Sequence, residues 1–230
     1  LNVEEFVMHK AALACLLIAL AFAFAAFRVF SPHALPKPAA PSRNVNPGAT
    51  AKPGPFGFEC GMTKEQVIAL VGKDAAKATG QDVLELSTAP RPHPAFDSYM
   101  LIFSPEKGLL KIQAYGAPIA TNGFGEEVHR AFIEIRDAVS KTYGEPKTID
   151  YLRSGSIWKE PEDWMMGLLK KERVLLSVWD MGSAGPNHIE MVTLEADGRS
   201  TEKAWLSLGY HFEGFPAYVD SKKAKAATAF

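Results

Sequence analysis

Two cysteines in 230 residues, Cys15 and Cys60, leave little scope for disulfide chemistry, and a chain cut after the first thirty residues would keep only Cys60. Charge of one sign is also missing. A net charge of -1 and a pI near 6.7 give no long-range pull on phosphate, and no basic stripe runs through the chain. Lys222, Lys223 and Lys225 make only a short polar tail, so nucleic acid is not an expected partner. The chain lacks a Gly-x-Ser-x-Gly elbow, a His-Glu-x-x-His helix, a phosphate-binding Gly-rich loop and any Cys pair. Those absences remove the commonest hydrolase, metalloprotease, nucleotide and zinc-finger chemistries. No catalytic residue, metal or cofactor is assigned. One arrangement with metal-ligand character remains: His188 with Glu190 and His211 with Glu213, each at strand spacing i, i+2. Zinc would require the two pairs to lie on neighbouring strands and converge.

What the chain does have begins with an unbroken apolar run from Ala11 to Phe27, preceded by His9 and Lys10 and followed by Arg28. This is the pattern of an export signal, and a start at Met8 would give it a short basic lead. Cleavage after Ala25 and retention as an anchor are both open, because 17 residues is the lower edge of a bilayer span. Residues 31–55 hold seven of the 16 prolines and no hydrophobic period, as a linker would. The expected destination is the periplasm or another exported compartment, with inner-membrane attachment through 11–27 if the run is kept.

Residues 56–220 read as one α+β domain and 221–230 as a flexible tail. Thr63 and Gln66 form a capping box, Met62 and Val67 a hydrophobic staple, and Gly72 a stop, which together predict a helix over 64–71. Cys60, beside Gly61 before that helix, reads as a small buried side chain. A strand is expected from Asp82 to Leu86, then a hairpin, Phe96–Phe103 and Leu109–Tyr115, turning at Ser104–Gly108. Val128, Phe132, Ile135, Val139 and Tyr143 recur at helical steps over 126–143, and Gly144 and Pro146 end that helix. Further strands are expected at 148–153, 173–179, 188–194 and 204–212, with a short helix at 161–171 and a turn at Asp197-Gly198. His93 and His129 read as a loop residue and a residue at the edge of a helix stripe.

Two helices end alike, Val71-Gly72-Lys73 and Tyr143-Gly144-Glu145, each followed by antiparallel strand patterns. Units at 56–120 and 121–220, sheets side by side with helices on one face, would bury every apolar stripe. The run Phe58-Glu59-Cys60-Gly61-Met62-Thr63-Lys64-Glu65-Gln66-Val67-Ile68-Ala69-Leu70-Val71-Gly72 resembles the opening of the SmpA/OmlA (BamE-like) small envelope lipoproteins. The tandem layout is similar to that of β-lactamase inhibitory protein. The resemblance implies an exported, noncatalytic module that binds proteins through its sheet and loops. Lipid anchoring does not carry over, since Cys15 in Ala-Leu-Ala-Cys comes too early for a lipoprotein signal.

All four tryptophans, Trp158, Trp164, Trp179 and Trp205, lie in the second half. Trp164, between helix positions and beside two methionines, reads as core. On the last strand Leu206, Leu208, Tyr210 and Phe212 share one face and should meet the helices, leaving Trp205, Ser207 and His211 for solvent or a partner. Trp205, Trp179, His211 and Ser207 are therefore the candidate binding residues, and a cell-envelope protein the expected partner. A periplasmic domain for small molecules or glycans, which needs a concave pocket, and a metal-dependent enzyme are the alternatives.

Overall fold

The computed structural model describes residues 54–227, so the apolar run and the linker as far as residue 53 lie outside the described residues. Helix α1, Lys64–Val71, starts on its capping box: Thr63 N–H donates to Gln66 Oε1 at 2.8 Å, and Gln66 N–H to Thr63 Oγ1 at 3.3 Å. Val67 is its buried anchor. Four strands follow, β1 Ala76–Ala78, β2 Val83–Leu86, β3 Phe96–Ser104 and β4 Gly108–Gly116, and each pairs antiparallel with the next. A two-residue strand, β5 Ile119–Ala120, leads to the long helix α2, Glu126–Tyr143, whose Val128, Phe132, Ile135 and Val139 are buried as the periodicity requires.

After α2 the same kind of unit is built again. Strand β6, Lys147–Leu152, precedes a short helix α3, Trp164–Leu169, and then β7 Arg173–Asp180, β8 Ile189–Ser200 and β9 Lys203–Phe212. The sheet order is β1-β2-β3-β4-β9-β8-β7-β6, so the two meanders meet at their last strands, and β5 also pairs with β9. The fold is α+β with a single nine-stranded antiparallel sheet among the described residues. Helices α1 and α2 close the same way. Gly72 (φ 89, ψ 152) and Gly144 (φ 80, ψ -167) take a backbone conformation open to glycine, and their N–H groups donate to Ile68 O at 2.8 Å and Ser140 O at 2.9 Å.

One face of the sheet carries the core. Across it run Leu84, Leu101, Ile112, Tyr210, Val192 and Trp179, in register from β2 to β7, and Val67, Phe132, Met165 and their neighbours from α1, α2 and α3 seal them. Phe56, ahead of α1, packs its ring against Phe96, Tyr99 and Tyr210 at 5.0 to 5.8 Å. The opposite face takes the alternate residues. There the described elements place α4, Phe215–Ala227, at one corner, with Phe215 over Lys111 and His211. Among the described residues no helix is long and apolar enough to cross a membrane.

Two local expectations are corrected. Asp197-Gly198 does not turn the chain; it lies within β8, and the reversal comes at Thr201-Glu202. Gly198 is there because α3 crosses it: a Cβ would stand 2.7 Å from the Leu169 backbone, which only glycine permits. Residues 221–227 of the tail expected at 221–230 are instead the second half of α4, and 228–230 lie outside the described residues. Its polar Lys and Ala residues are good helix formers, and Phe215 and Val219, four apart, supply the buried anchors.

Gly108 and Gly144 both have positive φ, 71° and 80°, but a Cβ at Gly108 would lie 2.2 Å from Gly61 O whereas nothing lies within 4 Å of one at Gly144. We expect Gly144→Ala to cost about 1–3 kcal/mol from backbone strain. Gly108→Ala should cost at least about 2 kcal/mol more, since backbone must move. Urea midpoints of the two variants check this, and equal costs would show that the close approach of Gly108 to Gly61 is not a constraint.

Candidate protein-binding face

The second sheet face is built by strand alternation from residues the core leaves over. At its centre β4, β9 and β8 align Gln113, Gly209 and Thr193 in one row and Tyr115, Ser207 and Glu195 in the next. Gly209 lets its neighbours lean inward, since a Cβ there would stand 2.7 Å from Thr193 Oγ1 and 2.9 Å from Gln113 Oε1. Burial pushes the Tyr115 hydroxyl up to about 12, with Glu85 and Glu195 adding to the effect, so it stays a neutral hydrogen-bonding group at physiological pH.

Of the four residues expected on an exposed face, the structure brings three to this face and leaves one of them partly accessible. Trp205 is half-buried, with the Arg199 guanidinium 4.6 Å from its ring centroid, a cation–π contact that leaves the ring an amphipathic edge. Ser207 and His211 are on the same face but buried. His211 lies under Phe215 of α4, ring centroids 4.8 Å apart, and its Nε2 has no hydrogen-bond partner. Burial, helped by the Lys111 charge, holds its pKa well below the ordinary value and keeps the ring neutral. Trp179 belongs to the opposite face: it is 2% exposed in the core, and its indole N–H donates to Gly144 O at 2.8 Å. Position at a strand end gave no phase from which to learn this. Trp164 is buried as expected, its indole N–H 3.4 Å from Asp150 Oδ2 and its ring 4.3 Å from that of His129.

The arrangement considered for zinc does not form. His188 is in the turn before β8 with φ 60, outside strand alternation, and a register shift follows between Ile189 and Met191. His188 Nδ1 instead meets Glu213 Oε2 at 3.5 Å on the surface, while His211 faces Met191 across the ladder and lies buried beneath Phe215. Among the described residues no group of three or more His, Cys, Asp or Glu is placed to hold a metal. Cys60 is half-buried, and burial with the charge of Glu213 raises its thiol pKa, which works against a reactive thiolate.

Sequence reasoning missed the residues that extend Trp205 across the sheet. Trp205 stands opposite Asp197 on β8, and Val174 of β7 stands opposite Tyr151 of β6. The Leu175–Ala196 pairing sets the two pairs in line. Trp205, Asp197, Val174 and Tyr151 therefore form one row ending at β6, which has a single hydrogen-bonded neighbour in the sheet. Tyr151 is 42% exposed. The signal was available in part, because Tyr151 alternates with Asp150 and Leu152, but nothing local says which strand neighbours which. The chain matches no family model, no curated protein and no solved structure, so its residues and geometry alone support the functional reading.

The two candidate tryptophans separate by stability. Trp179→Ala should cost about 3–5 kcal/mol by emptying the core and leaving the Gly144 carbonyl without its donor. For Trp205→Ala the expected cost is about 1 kcal/mol or less. Thermal melts of both variants test the assignment, and a Trp205→Ala loss as large as that of Trp179→Ala would place Trp205 in the core.

Proposed function

We propose that the chain is an exported, noncatalytic cell-envelope protein that recognises another protein through the end of its sheet carrying Trp205 and Tyr151. The observation that supports this most is the row Trp205, Asp197, Val174 and Tyr151 on the face opposite α1, α2 and α3, running out to edge strand β6. Two amphipathic aromatics at either end of a row with an apolar and an acidic residue between them have the composition of an interface anchor. Tyrosine and tryptophan contribute large contact area with few rotatable bonds, which is why they dominate interface energetics. As an edge strand, β6 adds backbone donors and acceptors on its outer side beside those side chains. The partner therefore offers an apolar patch with hydrogen-bonding groups at its margin. Export rests on the apolar run 11–27 and the proline-rich stretch 31–55, which together suit a domain held away from a membrane.

Crosslinking in envelope extracts provides the test. Trp205→Ala and Tyr151→Ala should each reduce capture of one defined protein by roughly tenfold or more, the scale of an interface hot spot, with unchanged circular dichroism. Equal capture by wild type and both variants, or no defined partner, would refute the assignment. Removal of residues 1–30 should leave the protein in the cytoplasm, and its continued appearance in the periplasmic fraction would remove the basis for export.

A further inference from the structure

At the far end of the same face, α4 is fastened to the sheet at two points. Phe215 and Val219 are buried, at 4% and 2% exposure, with Phe215 lying on His211 and 5.5 Å from Lys111 Nζ. Along the helix, Tyr218 Oη donates to Asp82 Oδ2 at 2.9 Å and Lys222 Nζ reaches the same oxygen at 2.5 Å. Asp82 itself is 8% exposed, so one nearly buried carboxylate holds two side chains of α4. Phe215 and Val219 stand outside the main core cluster. The helix can therefore leave the sheet without opening that core. Beneath it lies an imidazole with an unpartnered, inaccessible Nε2 beside a buried lysine on the neighbouring strand.

We propose that α4 is an acid-released cover, which leaves the sheet when His211 becomes protonated. In the closed arrangement a proton on His211 would be shut away from water under α4 and placed next to Lys111, and both the burial and the lysine charge oppose it. Once α4 is displaced, water solvates the imidazole and it titrates near its free value, about pH 6.5. The sign follows from linkage. Above about pH 6.5 neither state carries the proton and acid has no effect. Below that, only the open state binds it, so the closed-to-open ratio falls by a factor that approaches about ten per pH unit until the closed state is also protonated.

The surrounding charges do not reverse this. Lys111 on β4 opposes protonation of His211, and Met191, its partner on β8, is neutral. Lys107 of the β3–β4 turn lies against Gly214, and Glu190 of β8 and Glu213 share the surroundings of Cys60. His188 pairs with Glu213 at the entry to α4, and a proton on it would strengthen that pair. Asp82 acts in a separate range. Burial works to raise its pKa, but the hydrogen bonds of Lys222 and Tyr218 outweigh it and hold the carboxyl low. Its stabilisation is present above its free pKa of about 3.9 and is lost as pH falls through its lower folded pKa. Of these groups His211 is the one whose protonation opposes the seating of α4 in mild acid. The inference does not rest on the partner reading, because it concerns only the seating of α4.

Amide hydrogen exchange of the full chain, corrected for intrinsic rates, tests it. From pH 6.5 to 5.5 protection over 215–227 should fall about fivefold while protection over 126–143 stays constant. His211→Gln should abolish the slope, and Asp82→Asn should lower protection at every pH and keep the slope. Wild-type protection that does not change, or an unchanged slope in His211→Gln, would overturn the proposal. Should His211→Gln lose the α2 protection as well, the wild-type His211 ring proton decides by NMR. Titration in step with helix opening supports the cover, and titration with the helix still closed overturns it.

Discussion

The pairing of β4 with β9 is the constraint on which the rest of the structure depends. Five residue pairs, from Lys111–His211 to Tyr115–Ser207, join two meanders that are otherwise separate along the chain. This seam continues one apolar face from β2 to β7, so α1, α2 and α3 can all contribute to a single core. It also fixes the second face, because the same alternation that turns Ile112 and Tyr210 inward turns Lys111, Gln113, Ser207 and His211 the other way. A slip of one residue at this seam would exchange the two sets. The separation of core from candidate binding face thus comes from a long-range register that no local stretch encodes.

Where the information is local, the sequence was legible to the residue. The limits of α1 follow from the Thr63–Gln66 box and Gly72, and those of α2 from its apolar stripe and Gly144. The α+β class followed from those helices and the strand patterns between them. Strand limits were close where alternation was clean, as in the β3–β4 hairpin. They failed where packing overrode turn chemistry: Asp197-Gly198 has the composition of a turn, yet its glycine serves the crossing of α3. Helix α4 was missed because a polar Lys- and Ala-rich tail gives no sign that Phe215 and Val219 find a surface to cover.

Site residues were less legible than fold, for a physical reason. Alternation assigned Trp205, Ser207 and His211 to one face correctly, but it says nothing about what covers that face. His211 sits under Phe215, and Ser207 lies in the crowded centre beside Tyr115 and Glu195. Trp179 had no phase to read and proved to close the C-terminal end of α2 through its indole N–H. Tyr151 was passed over because its value lies in alignment with Trp205 across four strands. Covered at one end by α4 and aromatic at the other, the face divides into a closed corner and a half-exposed row.

Side-chain footprinting of the protein in its native envelope, compared with the purified chain, tests the central claim most directly. The account predicts protection concentrated at Trp205, Tyr151 and the exposed side of β6, with the outward residues of α2, such as Ile133, equally reactive in both states. Protection centred on α2, or none at Trp205 and Tyr151, would contradict it.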